Sequence, residues 1–288
     1  MFAFIFAKIF LDKYFKAQNF AQTIKGILVN HHSLKSRFRA ALTGALLVLP
    51  SHQREKISGA VEIAIISQTK FPVEPLANQE LDIWTKVCQA IALGLFWHQD
   101  VHTLSKVLSS YVATPEHLIL AYAIALCCRD ALYPRNLIGH ICAYLPKELE
   151  EELNAESLKT LIQQLRLAQD LVDRGQSGVI ARHTLHQPIA YGLYCFLSTP
   201  HHWGLATKRT QQMNPIIGAS IGAIAGAYQG QVPAEYTDEI SSGILETGRQ
   251  MGDRLLAAWA GVYDLSPIQD LAEFSATITA PNILKRRI

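Results

Sequence analysis

Along nearly the whole chain apolar residues recur three and four apart, the spacing of one helix face, and no stretch keeps the period-two alternation of a half-buried strand. The clearest case is 157–172, where Leu158, Leu161, Ile162, Leu165, Ala168, Leu171 and Val172 form one face before the glycines at 175–178 break it. After a polar hinge at 30–36, the segment 36–49 reads as a helix with Arg37 and Arg39 at its start, small residues inside and Pro50 at its end. The apolar run 59–67 predicts another. In 81–97, Ile83, Val87, Ile91 and Leu95 share a face, and 101–111 turns Leu104, Val107, Leu108 and Tyr111 inward. Thr114-Pro115-Glu116 joins an N-cap residue, a proline at the first helical position and an early acid, the grammar of a helix start. The helix it opens, 118–128, is apolar all round and therefore expected to be buried. Residues 137–144 predict a helix, followed by a separate, proline-started acidic one at 147–153. Next come a buried helix at 188–197 and, after a second Thr-Pro pair at Thr199-Pro200, a helix at 201–209. One or two helices fill 238–263, with Leu245, Gly248, Gly252, Leu255, Leu256 and Trp259 available for packing. These elements predict an all-α, compact multi-helix bundle of roughly ten or more helices around one core.

One helix in that series breaks the usual composition. Residues 211–230 read QQMNPIIGASIGAIAGAYQG, with Gly218, Ala219, Ser220, Gly222, Ala223, Ala225, Gly226 and Ala227 where large side chains normally stand. Each internal glycine costs about 1 kcal/mol against alanine. Such a helix holds only where neighbours bury it on most sides and lie close. It is expected in the middle of the bundle, with 211–215 as a loop opening towards a cleft.

Composition adds limits. Of 288 residues 49% are hydrophobic and 17% charged, which excludes disorder for most of the length. A net charge of +2, with no motif of a nucleic-acid module, gives no case for nucleic acid. The odd set Cys88, Cys127, Cys128, Cys142 and Cys195 lies within apolar runs, as buried reduced thiols of a cytoplasmic protein do. At the other end of the polarity scale, residues 1–30 carry Lys8, Asp12 and Lys16 as one polar stripe on an aromatic and aliphatic helix. That pattern describes an amphipathic extension docked on the domain, on a protein partner or peripherally on a membrane. It is too short and charged for a span. Residues 266–288, ending in Lys285-Arg286-Arg287, read as a tail.

The small-residue helix resembles the C-terminal signature of the ADP-ribosylglycohydrolase (DraG-like) family. That signature runs Gly-Gly-Asp-x-Asp-Thr, a few small residues, then Ala-Gly-Ala-x-x-Gly-Ala-Tyr-x-Gly. Gly222-Ala223, Gly226-Ala227-Tyr228 and Gly230 match its second half, and Val232-Pro233 stand where the family has Ile-Pro. Arg37-Phe38-Arg39-Ala40-Ala41-Leu42-Thr43-Gly44 is similar to the family's Arg-x-x-Gly-Ala-Leu-Leu-Gly opening, and 191–196 before Thr199-Pro200 fits a divergent member. The resemblance covers roughly residues 36–265 and implies an all-α fold with a central metal-bearing cleft.

The departures fall on the chemistry. In the family, a Thr-Asp-Asp-Thr segment and the Asp-x-Asp-Thr of the small-residue helix hold two divalent ions, magnesium or manganese, that orient ADP-ribose and water. Here the second segment's aspartates fall on Met213 and Pro215 and its threonine on Ile216, leaving Asn214 as an oxygen donor. The first has no counterpart: the Gly-Asp after the opening helix falls on Val48-Leu49, and Ser67-Gln68-Thr69 is the nearest polar run. Stripped of carboxylates, the site has nothing to offset dehydration of a hard cation. The resemblance thus implies a pseudoenzyme, hydrolase-like in fold, with no cofactor and no assigned catalytic residue. It would retain a cleft for an ADP-ribose-like ligand at Gln68, Thr69, Gln211 and Asn214. Two alternatives stand beside it. One is an active hydrolase with a relocated metal, its carboxylates drawn from Glu62, Glu74, Glu80 and Asp82. The other is a helical scaffold to which the family likeness is accidental.

Other constellations read as structural. His98 and His102 flank Asp100 at a spacing that can bind zinc, but a solvated helix end is the expected state. His183 and His186 read as a surface pair in a loop, and Asp170 and Asp173 as the solvated face of 157–172. Arg166, Arg174 and Arg182 would meet a phosphate if their helices converged. No phosphate loop, nucleophile elbow or Cys-x-x-Cys occurs.

Overall fold

The computed structural model describes residues 32–67, 82–111, 114–129, 133–149, 155–232 and 239–261. Among them every regular element is helical: α1 (Leu34–Val48), α2 (Glu55–Ile66), α3 (Ile83–Phe96), α4 (Val101–Tyr111), α5 (Pro115–Cys127) and α6 (Leu137–Leu149). Then follow α7 (Ala155–Asp173), α8 (Gly178–Thr184), α9 (Pro188–Ser198), α10 (Trp203–Gln211), α11 (Pro215–Gln229) and α12 (Glu239–Trp259). The extension at 1–30, the tail at 266–288 and the Tyr111 side chain lie outside the described residues.

Local chemistry sets the boundaries. Asp82 caps α3, accepting from the backbone N–H of Trp84 at 3.1 Å and of Thr85 at 3.3 Å. Asp100 does the same for α4 at the Thr103 N–H, 3.0 Å away. Past the end of α7, Gly175 takes φ +62°, the Gln176 N–H donates to the Leu171 carbonyl at 2.9 Å and the Gly175 N–H to that of Val172 at 3.0 Å. This is a Schellman stop, and glycine is the residue that adopts it without steric cost.

Several boundaries differ from expectation. The first helix starts at Leu34, inside the predicted hinge. Helix α6 continues past Pro146 to Leu149 instead of breaking into a second helix. Its buried Leu137, Ile138, Ile141 and Leu145 anchor the turns before the proline, and burial there outweighs one lost hydrogen bond. Thr199-Pro200 does not start a helix. The Thr199 hydroxyl donates back to the Cys195 carbonyl at 2.9 Å, closing α9, and α10 begins only at Trp203. At Thr114-Pro115 the proline does open α5, yet the threonine hydroxyl meets His117 Nδ1 rather than a backbone N–H. Ile83, assigned to an inner face, is 52% exposed.

The core is ordered by α1 and α11. Helix α1 lies between α11 and α12; α11 also packs against α10, α9, α5 and α3, and from Gly218 to Gln229 it is buried throughout. Gly218, Gly222 and Gly226, four apart, face Val48, Gly44 and Ala40 of α1. A Cβ at Gly222 would overlap the Gly44 carbonyl, and one at Gly226 the Ala40 carbonyl. The two backbones therefore touch directly, as small residues repeated every four positions allow. Trp203 seals the contact by donating its indole N–H to the Gly222 carbonyl at 3.0 Å. On the other side of α1, Gly248 and Gly252 of α12 pack in the same way against Thr43 and Arg39.

Charge then ties α12 down. Arg39 reaches Asp253 with two guanidinium nitrogens, its Nε at 2.6 Å from Oδ1. Asp253 is buried and Arg39 half-buried. Arg254 pairs with Glu62 of α2, Nη2 to Oε2 at 3.0 Å, in the open. Asp253→Ala is expected to cost about 2–3 kcal/mol, since it strands a guanidinium against the core. Glu62→Gln is expected to cost less than about 1 kcal/mol, because solvent screens that pair. Urea unfolding of both variants checks the contrast, and equal losses would contradict it.

Candidate functional site

The junction of α10 and α11 carries Gln211 and Asn214, two of the residues expected to line a ligand cleft. Gln211 is the last residue of α10 and so is helical, not loop; the turn proper is Gln212 to Asn214. Asn214 is the N-cap of α11: its side-chain oxygen accepts the Ile216 N–H at 2.9 Å, with Pro215 at the first helical position. Gly218 lets this turn fold back, since a Cβ there would sit 3.0 Å from Gln211 Cα and from Val48 Cγ1. Gln211 is exposed and Met213 is 38% exposed. The structure thus brings Gln211 and Asn214 together at the start of α11; Gln68 and Thr69 lie outside the described residues.

A pair of hard divalent cations does not fit this turn. Met213, Pro215 and Ile216 carry no oxygen on their side chains, and the oxygen of Asn214 is engaged in capping. Ser67 is occupied as well: its hydroxyl donates to the Ala64 carbonyl at 2.6 Å and accepts the Trp97 indole N–H at 3.1 Å. Of the carboxylates weighed for a relocated site, Glu62 is bound to Arg254. Asp82 caps α3 and accepts from Lys56 Nζ at 2.7 Å and from the Thr85 hydroxyl at 2.6 Å. Partial burial raises its carboxyl, but the bonds from Lys56 and Thr85 prevail and hold it down at about 2. Glu74 and Glu80 lie outside the described residues. Among the described residues, no three His, Cys, Asp or Glu side chains gather as metal ligands.

His98 corrects the expectation of a solvated helix end. It is 2% exposed, with its ring 5.7 Å from that of Phe38 and 5.0 Å from that of Trp259. Nδ1 lies 2.8 Å from the Leu95 carbonyl, which assigns the ring proton to that nitrogen. Burial pushes this imidazole down to about 4, the Leu95 bond opposing and the Arg129 charge adding. His102, on α4, is exposed. The turn between the two helices destroys the spacing a zinc chelate needs. His117, at the start of α5, is buried and also pushed down to about 4, by burial and then by Lys86.

The cysteines are free, four of them buried; Cys142 is only partly so. Burial raises the thiols of Cys88 and Cys128 to about 12 and that of Cys195 to about 11, which leaves them poor nucleophiles. His183 lies on α8, a helix that the reading of this stretch as a loop missed, and His183 and His186 are both exposed. Asp170 pairs with Arg174 at 2.8 Å and Asp173 accepts from Gln169 at 3.0 Å, both on the exposed side of α7.

Among the described residues, two of the three arginines considered for a phosphate are engaged elsewhere. Arg174 is tied to Asp170, and Arg166 lies beside Cys142. Arg182 is exposed on α8. From Arg174 to Ala234 the chain contains no Asp or Glu, yet holds Arg174, Arg182, Lys208 and Arg209.

No helix of the described residues is long and apolar enough to cross a membrane. No family model, curated protein or solved structure matches this chain.

Proposed function

We propose that this chain is a binding module on an ADP-ribosylglycohydrolase-like helical scaffold, a pseudoenzyme that has lost metal-dependent hydrolysis and retains affinity for an ADP-ribose-like ligand. The observation that carries this reading is the division of the Gln211–Gly230 stretch. Its glycine half, Gly218 to Gly226, is packed backbone to backbone on α1, as a fold-defining element should be. Its leading turn, Met213-Asn214-Pro215-Ile216, spends its one side-chain oxygen on capping. Scaffold is kept where the resemblance is close, and ion chemistry is absent where it departs. The relocated-metal alternative finds less support, since Glu62 and Asp82 already serve ion pairs and a cap. A reducing, cytoplasmic setting accords with five free cysteines.

Calorimetric titration of the full chain with ADP-ribose, with and without magnesium, tests the reading. Saturable binding of equal affinity in both conditions is expected, with no ADP-ribose released from an ADP-ribosylated protein. Magnesium-dependent release would overturn the loss of chemistry; absence of binding would overturn the ligand.

A further inference from the structure

We infer that the seam between α2 and α3 holds a buried water molecule on the side-chain amide of Gln89. This inference does not depend on the family reading.

Gln89 is 0% exposed, and neither its Nε2 nor its Oε1 has a hydrogen-bond partner among the described residues. Gln53 and Gln169 each leave only an oxygen in that state, whereas Gln89 leaves both ends of the amide. Turning the amide over exchanges its two ends and satisfies neither. Cysteine aside, Gln89 is also the one polar side chain between Lys86 and Trp97. An amide taken out of water without replacement bonds is costly, and buried polar groups in folded chains are bonded to protein or to ordered water.

The position of this amide follows from the ends of the two helices. Lys56, near the start of α2, reaches Asp82, the cap of α3, at 2.7 Å. Ser67, just past the end of α2, accepts from the indole N–H of Trp97, just past the end of α3, at 3.1 Å. The two helices therefore run side by side in the same direction, and they are packed together. Gln89 stands two helical turns beyond Asp82, on the face of α3 that meets α2 and between those two contacts. The buried residues of α2 are Ile57, Ala60, Val61 and Ala64, none with a polar side chain. Ala60 and Ala64 are one turn apart and end at a methyl group, so α2 presents short side chains to the amide.

Water matches the chemistry of this place. The amide offers both donors and an acceptor, and one water molecule can take both roles. A helical carbonyl of α2 has a second lone pair that accepts the water's other proton. An ion does not match, because the amide carries no charge and no ionisable side chain of α2 is buried beside it. An apolar molecule would leave both amide atoms unbonded.

Water itself is the probe, observed in the full chain. With nitrogen-15 in the glutamine side chains, the Gln89 amide protons are expected to show the cross-relaxation with water that marks a long-lived contact. Gln89→Leu identifies their signal by removing it. Oxygen-17 relaxation dispersion counts long-lived waters, and that count is expected to fall by about one in Gln89→Leu. Gln89→Met, unbranched like glutamine, is expected to give the same loss, so a packing fault peculiar to leucine does not decide the result. Both variants are expected to melt no more than about 5 °C above the wild-type chain. Absence of cross-relaxation at the Gln89 amide, or an unchanged count in both variants, would overturn the inference. A larger rise in the melting temperature of Gln89→Met would do so too, since it marks a dry amide whose unbonded atoms have been removed.

Discussion

Between pH 6.5 and pH 4 the folded chain is expected to lose roughly 3 kcal/mol of stability for each of two buried histidines, His98 and His117. An unfolded imidazole takes up its proton near 6.5, whereas burial keeps these two neutral down to about 4. Across that window the unfolded state binds more protons, so stability rises with pH there. It is fully present above 6.5 and fully lost below about 4. Asp82, held down at about 2, titrates in the folded state below that window and adds to acid unfolding only at lower pH. Urea unfolding at several pH values measures the slope. A His98→Asn, His117→Asn double variant should flatten it, because an amide at position 98 can still donate to the Leu95 carbonyl but cannot titrate. A flat wild-type profile, or an unchanged slope in the double variant, would contradict the assignment.

The second large effect concerns one methyl group. Gly226→Ala is expected to cost about 2–3 kcal/mol through overpacking, even though alanine gains about 1 kcal/mol over glycine in a helix. The added Cβ would run into the Ala40 carbonyl and lie 3.0 Å from the Ala41 nitrogen, both backbone atoms that cannot rotate aside. Gly59→Ala and Gly139→Ala supply the opposite sign. Both glycines are exposed in helices with nothing near the Cβ position, so each variant is expected to gain roughly 0.5–1 kcal/mol. Combining Gly222→Ala with Gly226→Ala should remove much of the roughly 5–15 kcal/mol that keeps a domain folded. A neutral or stabilised Gly226→Ala would sink the account of how α1 and α11 meet.

Part of the site was legible from residue type alone. Met213, Pro215 and Ile216 lack carboxylates however the chain folds. The Asn214-Pro215 start of α11, by contrast, falls inside the stretch 211–215 expected as a loop. The expectation failed at His98, where the Trp97–Gln99 turn rotates the ring inward between Phe38 and Trp259, and at α8, whose seven residues are too few to display a periodic face.

Helical class, the buried state of 118–128 and the depth of the small-residue helix were determined by the sequence, because spacing and volume act within one element. Which helices meet was decided by the tertiary structure alone. Arg39 and Asp253 stand 214 residues apart and Arg254 and Glu62 192 apart, and no local pattern pairs them. The absence of acids from Arg174 to Ala234 is plain in the chain. That the Trp203 indole of α10 reaches the Gly222 carbonyl of α11 is not, since it depends on how those helices pack. Propensity and hydrophobic spacing act within a few turns of chain, whereas a site assembled from separate helices exists only once long-range packing has set their positions.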